Sequence, residues 1–151
     1  MRISCDTNIV LRLAQPHHPM HPDARDSTRV LMQAGHELCL FQQNLFEFWA
    51  VATRPKKENG LGWDIPQAEA ELARIENEFT ILPDSPLTYP GWRRLVVLHQ
   101  VRGKPTHDAR LVAAMHVHAV THLLTFNDAD FRRYPTISVL TPAGVVAGSH
   151  P

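Results

Sequence analysis

Arg2-Ile3-Ser4-Cys5-Asp6-Thr7-Asn8-Ile9-Val10-Leu11-Arg12-Leu13 opens the chain. Residues 2–5 read as a buried strand, and Asn8 to Leu13 as a short helix that stops before Pro16, with the carboxylate of Asp6 at the join. The alternation continues outward. His17 to Pro22 reads as a Pro- and His-rich loop, and Asp23 to Ala34 as a helix closed by Gly35. Glu37 to Phe41 is a second strand. Asn44 to Thr53 is a helix that Asn44 can cap, ending before Pro55. Lys56 to Trp63 is a polar loop with two glycines. Pro66 to Phe79 is amphipathic, with Ala68, Leu72, Ile75 and Phe79 at helical spacing. Thr80 to Leu82 is a short strand and Pro90 to Val101 a helix. Gly103-Lys104-Pro105 is a loop, and Thr106 to His118 a helix with Thr106 as cap. Thr121 to Thr125 and Ile137 to Leu140 are strands. Strands separated by helices predict an α/β fold with a central, mostly parallel sheet flanked by helices on both faces. Sites in such sheets lie at the carboxyl ends of the strands.

Composition limits the classes of function. The 151 residues fit one domain, 1–151, with room for a sizeable core. The hydrophobic fraction of 44% is ordinary for a globular fold. No apolar run approaches the roughly 18 residues that a membrane span requires. Asp6 and Asn8 interrupt any signal-peptide pattern, and the expected location is cytoplasmic. Cys5 and Cys39 lie in apolar strand-like runs and read as buried structural thiols. The net charge is +0, so no overall field draws the chain to nucleic acid or lipid. The distribution is uneven, however. Residues 58–90 hold seven acids and one base, and residues 91–133 hold seven bases (Arg93, Arg94, Arg102, Lys104, Arg110, Arg132, Arg133) and three acids. Two readings stand: solvated faces of opposite sign, or a basic rim around an acidic pocket, which suits a polyanionic substrate.

Four acids sit beside apolar stretches: Asp6, Glu47 within Leu45-Phe46-Glu47-Phe48-Trp49-Ala50-Val51, Asp108 at the head of Asp108-Ala109-Arg110-Leu111-Val112, and Asp130 after Leu123-Leu124-Thr125-Phe126. Carboxylates are rarely fully buried unless paired or holding a metal. Four at element ends point to one shared pocket for a hard divalent cation, the chemistry of phosphodiester cleavage. Each acid also has a plainer reading. Asp6 and Asp108 are possible helix caps, Asp130 and its neighbour Asp128 possible turn residues, and Glu47 a possible exposed face between two buried ones. The ten histidines carry no cysteine pattern and read as surface or satisfied side chains rather than a zinc site. His107, next to Asp108, is a candidate for touching substrate. Trp49 and Trp63 read as packing residues. Arg54, Lys56 and Lys57 are either phosphate contacts or a solvated loop.

Asp6-Thr7-Asn8, Glu47 in its apolar helix, Thr106-His107-Asp108-Ala109-Arg110 and Thr125-Phe126-Asn127-Asp128-Ala129-Asp130-Phe131 together resemble the four acidic motifs of PIN-domain ribonucleases. The nearest resemblance is to the VapC-type toxins of type II toxin–antitoxin pairs, and it spans Ile3 to about Leu140. It implies a single PIN-like domain and an endoribonuclease dependent on Mg²⁺ or Mn²⁺. The partners implied are an RNA substrate, a cognate antitoxin protein and a second copy in a homodimer, with no membrane. Asp6, Glu47, Asp108 and Asp130 would be the catalytic acids, with Asp6, Asp108 and Asp130 on the metal and Asn8, Thr125 and Asn127 in support. Two other classes stay open: a PIN-like module that only binds RNA or protein, and a receiver-type phosphoacceptor domain. The latter fits less well, because it requires adjacent acids after the first strand and Asp6 stands alone.

Overall fold

Ile3 and Cys5 face one side of the first strand and join Leu38, Leu40 and Leu124 in one apolar cluster, while Cys39, Phe41 and Leu123 join a second. This period-two split puts one core on each face of a sheet. A computed structural model describes residues 1–151. It contains β1 (Arg2–Cys5), α1 (Thr7–Leu13), α2 (His21–Gln33), β2 (Glu37–Phe41), α3 (Gln42–Thr53), α4 (Ile65–Glu78), β3 (Thr80–Leu82), α5 (Thr88–Leu98), α6 (Thr106–Val117), β4 (His122–Leu124), α7 (Asp128–Phe131), β5 (Ser138–Leu140) and α8 (Pro142–Val146). The five strands lie in the order β3-β2-β1-β4-β5, and every neighbouring pair is parallel. Ile3 pairs with Leu38 on one side and His122 on the other. Residues of α1, α2, α3, α4 and α8 fill the first core, and those of α5, α6 and α7 the second. Helices thus cover both faces, as the alternation of elements predicts. Cys5 and Cys39 are free, buried thiols on opposite faces. No helix is long and apolar enough to cross a membrane.

Element ends differ from the sequence reading for identifiable reasons. Asp6 takes the N-cap position of α1, so the helix begins at Thr7 rather than Asn8. Pro22 lies in the first turn of α2, where its missing N–H costs nothing, so the anticipated 17–22 loop already holds the helix start. Pro66 does the same in α4, which Asp64 caps by accepting from the Gln67 N–H at 2.8 Å. Gly35 closes α2 as expected, with φ +83. Asn44 is not the cap of α3. It is the third helical residue, and its Oδ1 accepts from the Phe41 N–H at 2.9 Å. Thr106 is the first residue of α6 rather than its cap, and its hydroxyl donates to the Gly103 carbonyl at 2.7 Å. α5 runs from Thr88 to Leu98 instead of 90–101 and ends just before Gln100 turns left-handed. β4 and β5 are each three residues long. The short helices α7 and α8 stand where no element was expected.

Phe48 and Phe46 show what α3 contributes. Phe48 is fully buried and meets Trp63 edge-on at 6.2 Å, while Phe46 is 64% exposed. Phe48→Ala should lower unfolding free energy by about 3–5 kcal/mol in urea denaturation, the range for a large side chain leaving a cavity. Phe46→Ala should change it by less than about 0.5 kcal/mol.

Candidate functional site

β1 and β4 are adjacent, and the chain departs from them toward opposite edges of the sheet. Sheets of this kind bind ligands in the crevice beyond the carboxyl ends of strands that part in this way. Asp6 stands at the end of β1, its own N–H donating to the Leu124 carbonyl of β4 at 2.9 Å. Its carboxylate is held by three donors. The Thr7 N–H reaches Oδ1 at 2.7 Å, and Asn8 Nδ2 and Thr125 Oγ1 reach Oδ2 at 2.8 and 2.7 Å. Asp6 is therefore the cap of α1 and at the same time lies where its carboxylate meets Asn8 and Thr125 at the strand ends. Asn8 also ties the two strand ends together. Its Nδ2 donates to Thr125 Oγ1 at 3.0 Å, and its Oδ1 accepts from the Phe126 N–H at 3.3 Å.

Glu47 arrives from the second turn of α3, half-buried, with both oxygens engaged. Thr7 Oγ1 donates to Oε2 at 2.6 Å, and Gln43 Nε2 to Oε1 at 2.7 Å. The sequence reading missed this brace. Thr7, Gln43 and Asn44 are buried polar residues at the heads of α1 and α3. Asn44 Nδ2 donates to Thr7 Oγ1 at 3.1 Å, and Gln43 Nε2 also reaches the His107 carbonyl at 2.9 Å. Gln43 lies one helical turn before Glu47, and that i, i+4 spacing was the available signal. Behind Gln43 stands Arg110, which donates to Gln43 Oε1 at 2.8 Å and pairs with Asp84 at 3.1 Å.

Asp108 lies in the first turn of α6. Asp130 is exposed on α7, in place of the anticipated loop, and its backbone N–H donates to the Asn127 carbonyl at 3.1 Å. Asn127 supports the rim through its backbone, donating to Thr125 Oγ1 at 3.0 Å, while its side chain makes no capping bond. Asp128 pairs with Arg132 at 2.8 Å, an ordinary surface contact. His107 is exposed. Arg110 and Arg132 are thus spent on ion pairs, which leaves Arg93, Arg94, Arg102, Lys104 and Arg133 of the basic segment exposed.

Asp6 and Asp108 feel their own burial and the charges of the neighbouring acids. Burial pushes Asp6 up to about 6, Thr125 and Thr7 counter this with their hydrogen bonds, and the charges of Glu47 and Asp130 add to the rise. Burial also pushes Asp108 up to about 6, helped by the charges of Asp6, Asp130 and Glu47, and no hydrogen bond opposes it. No lysine or arginine side chain pairs with any of the four acids. The donor set is all oxygen, which suits a hard divalent cation. No three of these side chains form a ready-made ligand cage.

A consequence for stability follows. A carboxyl whose folded pKa lies above its unfolded value, about 3.9 for Asp, binds protons more tightly when folded. Its contribution to stability is present at low pH and is lost as pH rises toward 6. In chelator, wild type should therefore lose stability relative to Asp108→Asn between about pH 4 and 6, and the variant should melt higher at pH 7. Asp6→Asn should gain less, since its amide cannot accept from all three donors. Melting curves of the three proteins across that range provide the check. A variant Asp108→Asn no more stable than wild type at pH 7 would overturn the raised pKa of Asp108.

No protein-family model matches the sequence, and no curated protein matches it either. Solved structures do resemble the fold. One chain of VapBC2 from Rickettsia felis, bound to a DNA fragment from the promoter, aligns with a TM-score of 0.69 at 17% identity over 93% of this chain and 98% of that one. A toxin–antitoxin complex from Klebsiella pneumoniae gives a TM-score of 0.64 at 20% identity, covering 93% and 97%. VapC20 of Mycobacterium tuberculosis, a sarcin–ricin loop cleaving toxin, gives 0.59 at 19% identity, covering 80% and 86%. The chain has the α/β fold of the VapC-type PIN-domain structures, the one that its four acidic motifs had led us to expect.

Proposed function

We propose that the chain is a Mg²⁺- or Mn²⁺-dependent endoribonuclease, acting in the cytoplasm as the toxin of a type II toxin–antitoxin pair. One observation carries the reading: the charges of Glu47 and Asp130 add to the raised pKa of Asp6, and with Asp6 to that of Asp108, and no lysine or arginine side chain pairs with any of the four. The likeness to toxin structures supports the biological setting.

In this reading Asp6, Asp108 and Asp130 would hold the ion and Glu47 would complete the acidic set. A bound divalent ion would lower the pKa of a water and neutralise charge developing on the phosphoryl group. The side chains divide the remaining work by how free they are. Asp108, with no protein donor, has both oxygens open to a ligand or a proton. Asp6 is fixed in orientation by Thr125, Asn8 and the Thr7 N–H, so it presents one constant edge to the crevice. Glu47, clamped by Thr7 and Gln43, adds negative charge at a fixed place and locks α1 to α3. The substrate's 2′-hydroxyl is a spectator, so the products are a 5′-phosphate and a 3′-hydroxyl. A protein inhibitor would gain by placing a positive residue against the four acids. A homodimer belongs to the same reading. The absence of a closed ligand cage keeps one rival in play, a PIN-like module that binds RNA or protein without cutting.

Asp6→Asn, Glu47→Gln, Asp108→Asn and Asp130→Asn should each reduce cleavage of mixed cellular RNA to background, and chelator should do the same to wild type. Mn²⁺ should stabilise wild type by about 2.7 kcal/mol at a hundredfold excess over Kd. Sequenced ends should carry 5′-phosphates. Ends with 2′,3′-cyclic phosphate, or cleavage that survives in two of the four variants, would sink the mechanism. Binding of RNA without cleavage in Mg²⁺ or Mn²⁺ would favour the rival.

A further inference from the structure

A cavity of about 360 Å³ opens between the segment after β3, the start of α5 and the side of α6. Asp84, Ser85, Thr88, Tyr89, Trp92 and Arg110 line it. Its volume lies within the roughly 300–1,000 Å³ typical of small-ligand pockets. Tyr89 and Trp92 are three residues apart on α5, and their rings stack with centroids at 5.8 Å and planes at 29°. The Trp92 indole N–H donates to the Thr106 carbonyl at 2.9 Å, which ties the stack to the first residue of the helix carrying Asp108. Arg110 joins the cavity to the acidic rim: it donates to Asp84, and to Gln43, which in turn donates to Glu47. One side chain, Gln43, lies between Arg110 on the cavity wall and Glu47.

We propose that this cavity is a subsite for an unpaired nucleotide of the RNA, with its base laid against the Tyr89–Trp92 stack while the neighbouring backbone reaches the acidic rim. The inference rests on the nuclease reading and assigns it a place for substrate. Tyr89 is 64% exposed, a large ring left in water at the mouth of a cavity, and its free surface is what a base would cover. Stacking tolerates any base, because each has a π-face, and it needs a base that is not already paired. Ser85 and Thr88 place hydroxyls beside the rings for the edge of the base. The Asp84 carboxylate is neutralised by Arg110, so the pocket does not repel an anionic chain. Arg93, Arg94, Arg102 and Lys104 lie exposed on α5 and on the segment leading to α6, outside every ion pair, where backbone phosphates would pass.

The test measures binding and cutting separately. A dye-labelled short single-stranded RNA of mixed sequence, and its duplex, are titrated in chelator against wild type, Tyr89→Ala, Tyr89→Phe and Asp108→Asn, and each free protein is sedimented. Tyr89→Ala should bind the single strand about tenfold more weakly, the loss expected for one stacked base, and the duplex as wild type does. Tyr89→Phe should bind as wild type. Asp108→Asn should bind at least as well as wild type, whether or not it cuts. Equal affinity of Tyr89→Ala and wild type for the single strand would overturn the subsite and leave the nuclease reading to the cleavage assay. An equal loss for strand and duplex would also overturn it. So would no binding by wild type, or a smaller sedimenting species for Tyr89→Ala, which would assign the tyrosine to a contact between copies.

Discussion

The molecule is organised by one constraint: β1 and β4 lie side by side in parallel, and the chain leaves them in opposite directions. No crossover can fill the space above their carboxyl ends, so the crevice there is a result of topology rather than of any particular side chain. α1 and α3 follow β1 and β2 with almost no connecting residues, which puts the heads of both helices at that rim. α6 leads down to β4, so its first turn lies at the same level. The N-terminal ends of α3 and α6, each 12 residues long, therefore bring partial positive charge toward the crevice. Acids are tolerated there for that reason before any ion is considered.

Neutral groups do the rest of the holding. Thr7, Asn8, Gln43 and Thr125 donate to Asp6 or Glu47, and each is itself anchored or buried. A cation in their place would have neutralised the crevice permanently. Arg110 is long enough to have served, yet Asp84 draws it outward and Gln43 stands between it and Glu47. The amide passes on the rigidity of the ion pair without passing on its charge. Hydrogen bonds from neutral donors fix Asp6 and Glu47 without supplying a charge, so burial, with the neighbouring carboxylates adding to it, keeps Asp6 and Asp108 raised.

Much of this was legible in the sequence, because it rests on short-range patterns. The alternation of apolar runs gave the five strands and their parallel character, and the acid at each element end marked the rim. Helix ends were less legible. Pro22 read as the end of a loop, and Pro66 and Pro90 as the first residues of helices, yet each helix begins one or two residues before its proline, which lies in the first turn, where φ is already suitable and no N–H is needed. The helices α7 and α8 are too short to carry a periodic signal. The bracing of Glu47 was invisible for a different reason. Thr7 and Glu47 are 40 residues apart, and Arg110 and Gln43 are 67 apart, so no local pattern connects them.

Asp6 shows where a sequence reading divides what the fold unites. A cap and a site acid were treated as competing explanations, since a cap stabilises and a crowded acid destabilises. The two oxygens of one carboxylate separate the tasks: Oδ1 accepts from the helix, and Oδ2 from the side chains of Asn8 and Thr125. A helix cap contributes about 1 kcal/mol, so the local geometry offsets part of what burial and like charges take away. Asp108 has no such offset, and it lies on a helix whose buried residues, Ala109 through Met115 apart from Arg110, anchor the second core. The packing of α6 therefore keeps in place an acid that its own environment disfavours. The cost of burying Asp108 is thus borne by a helix that is tightly packed elsewhere, and the carboxylate is held at the strand ends by that packing rather than by a partner of its own.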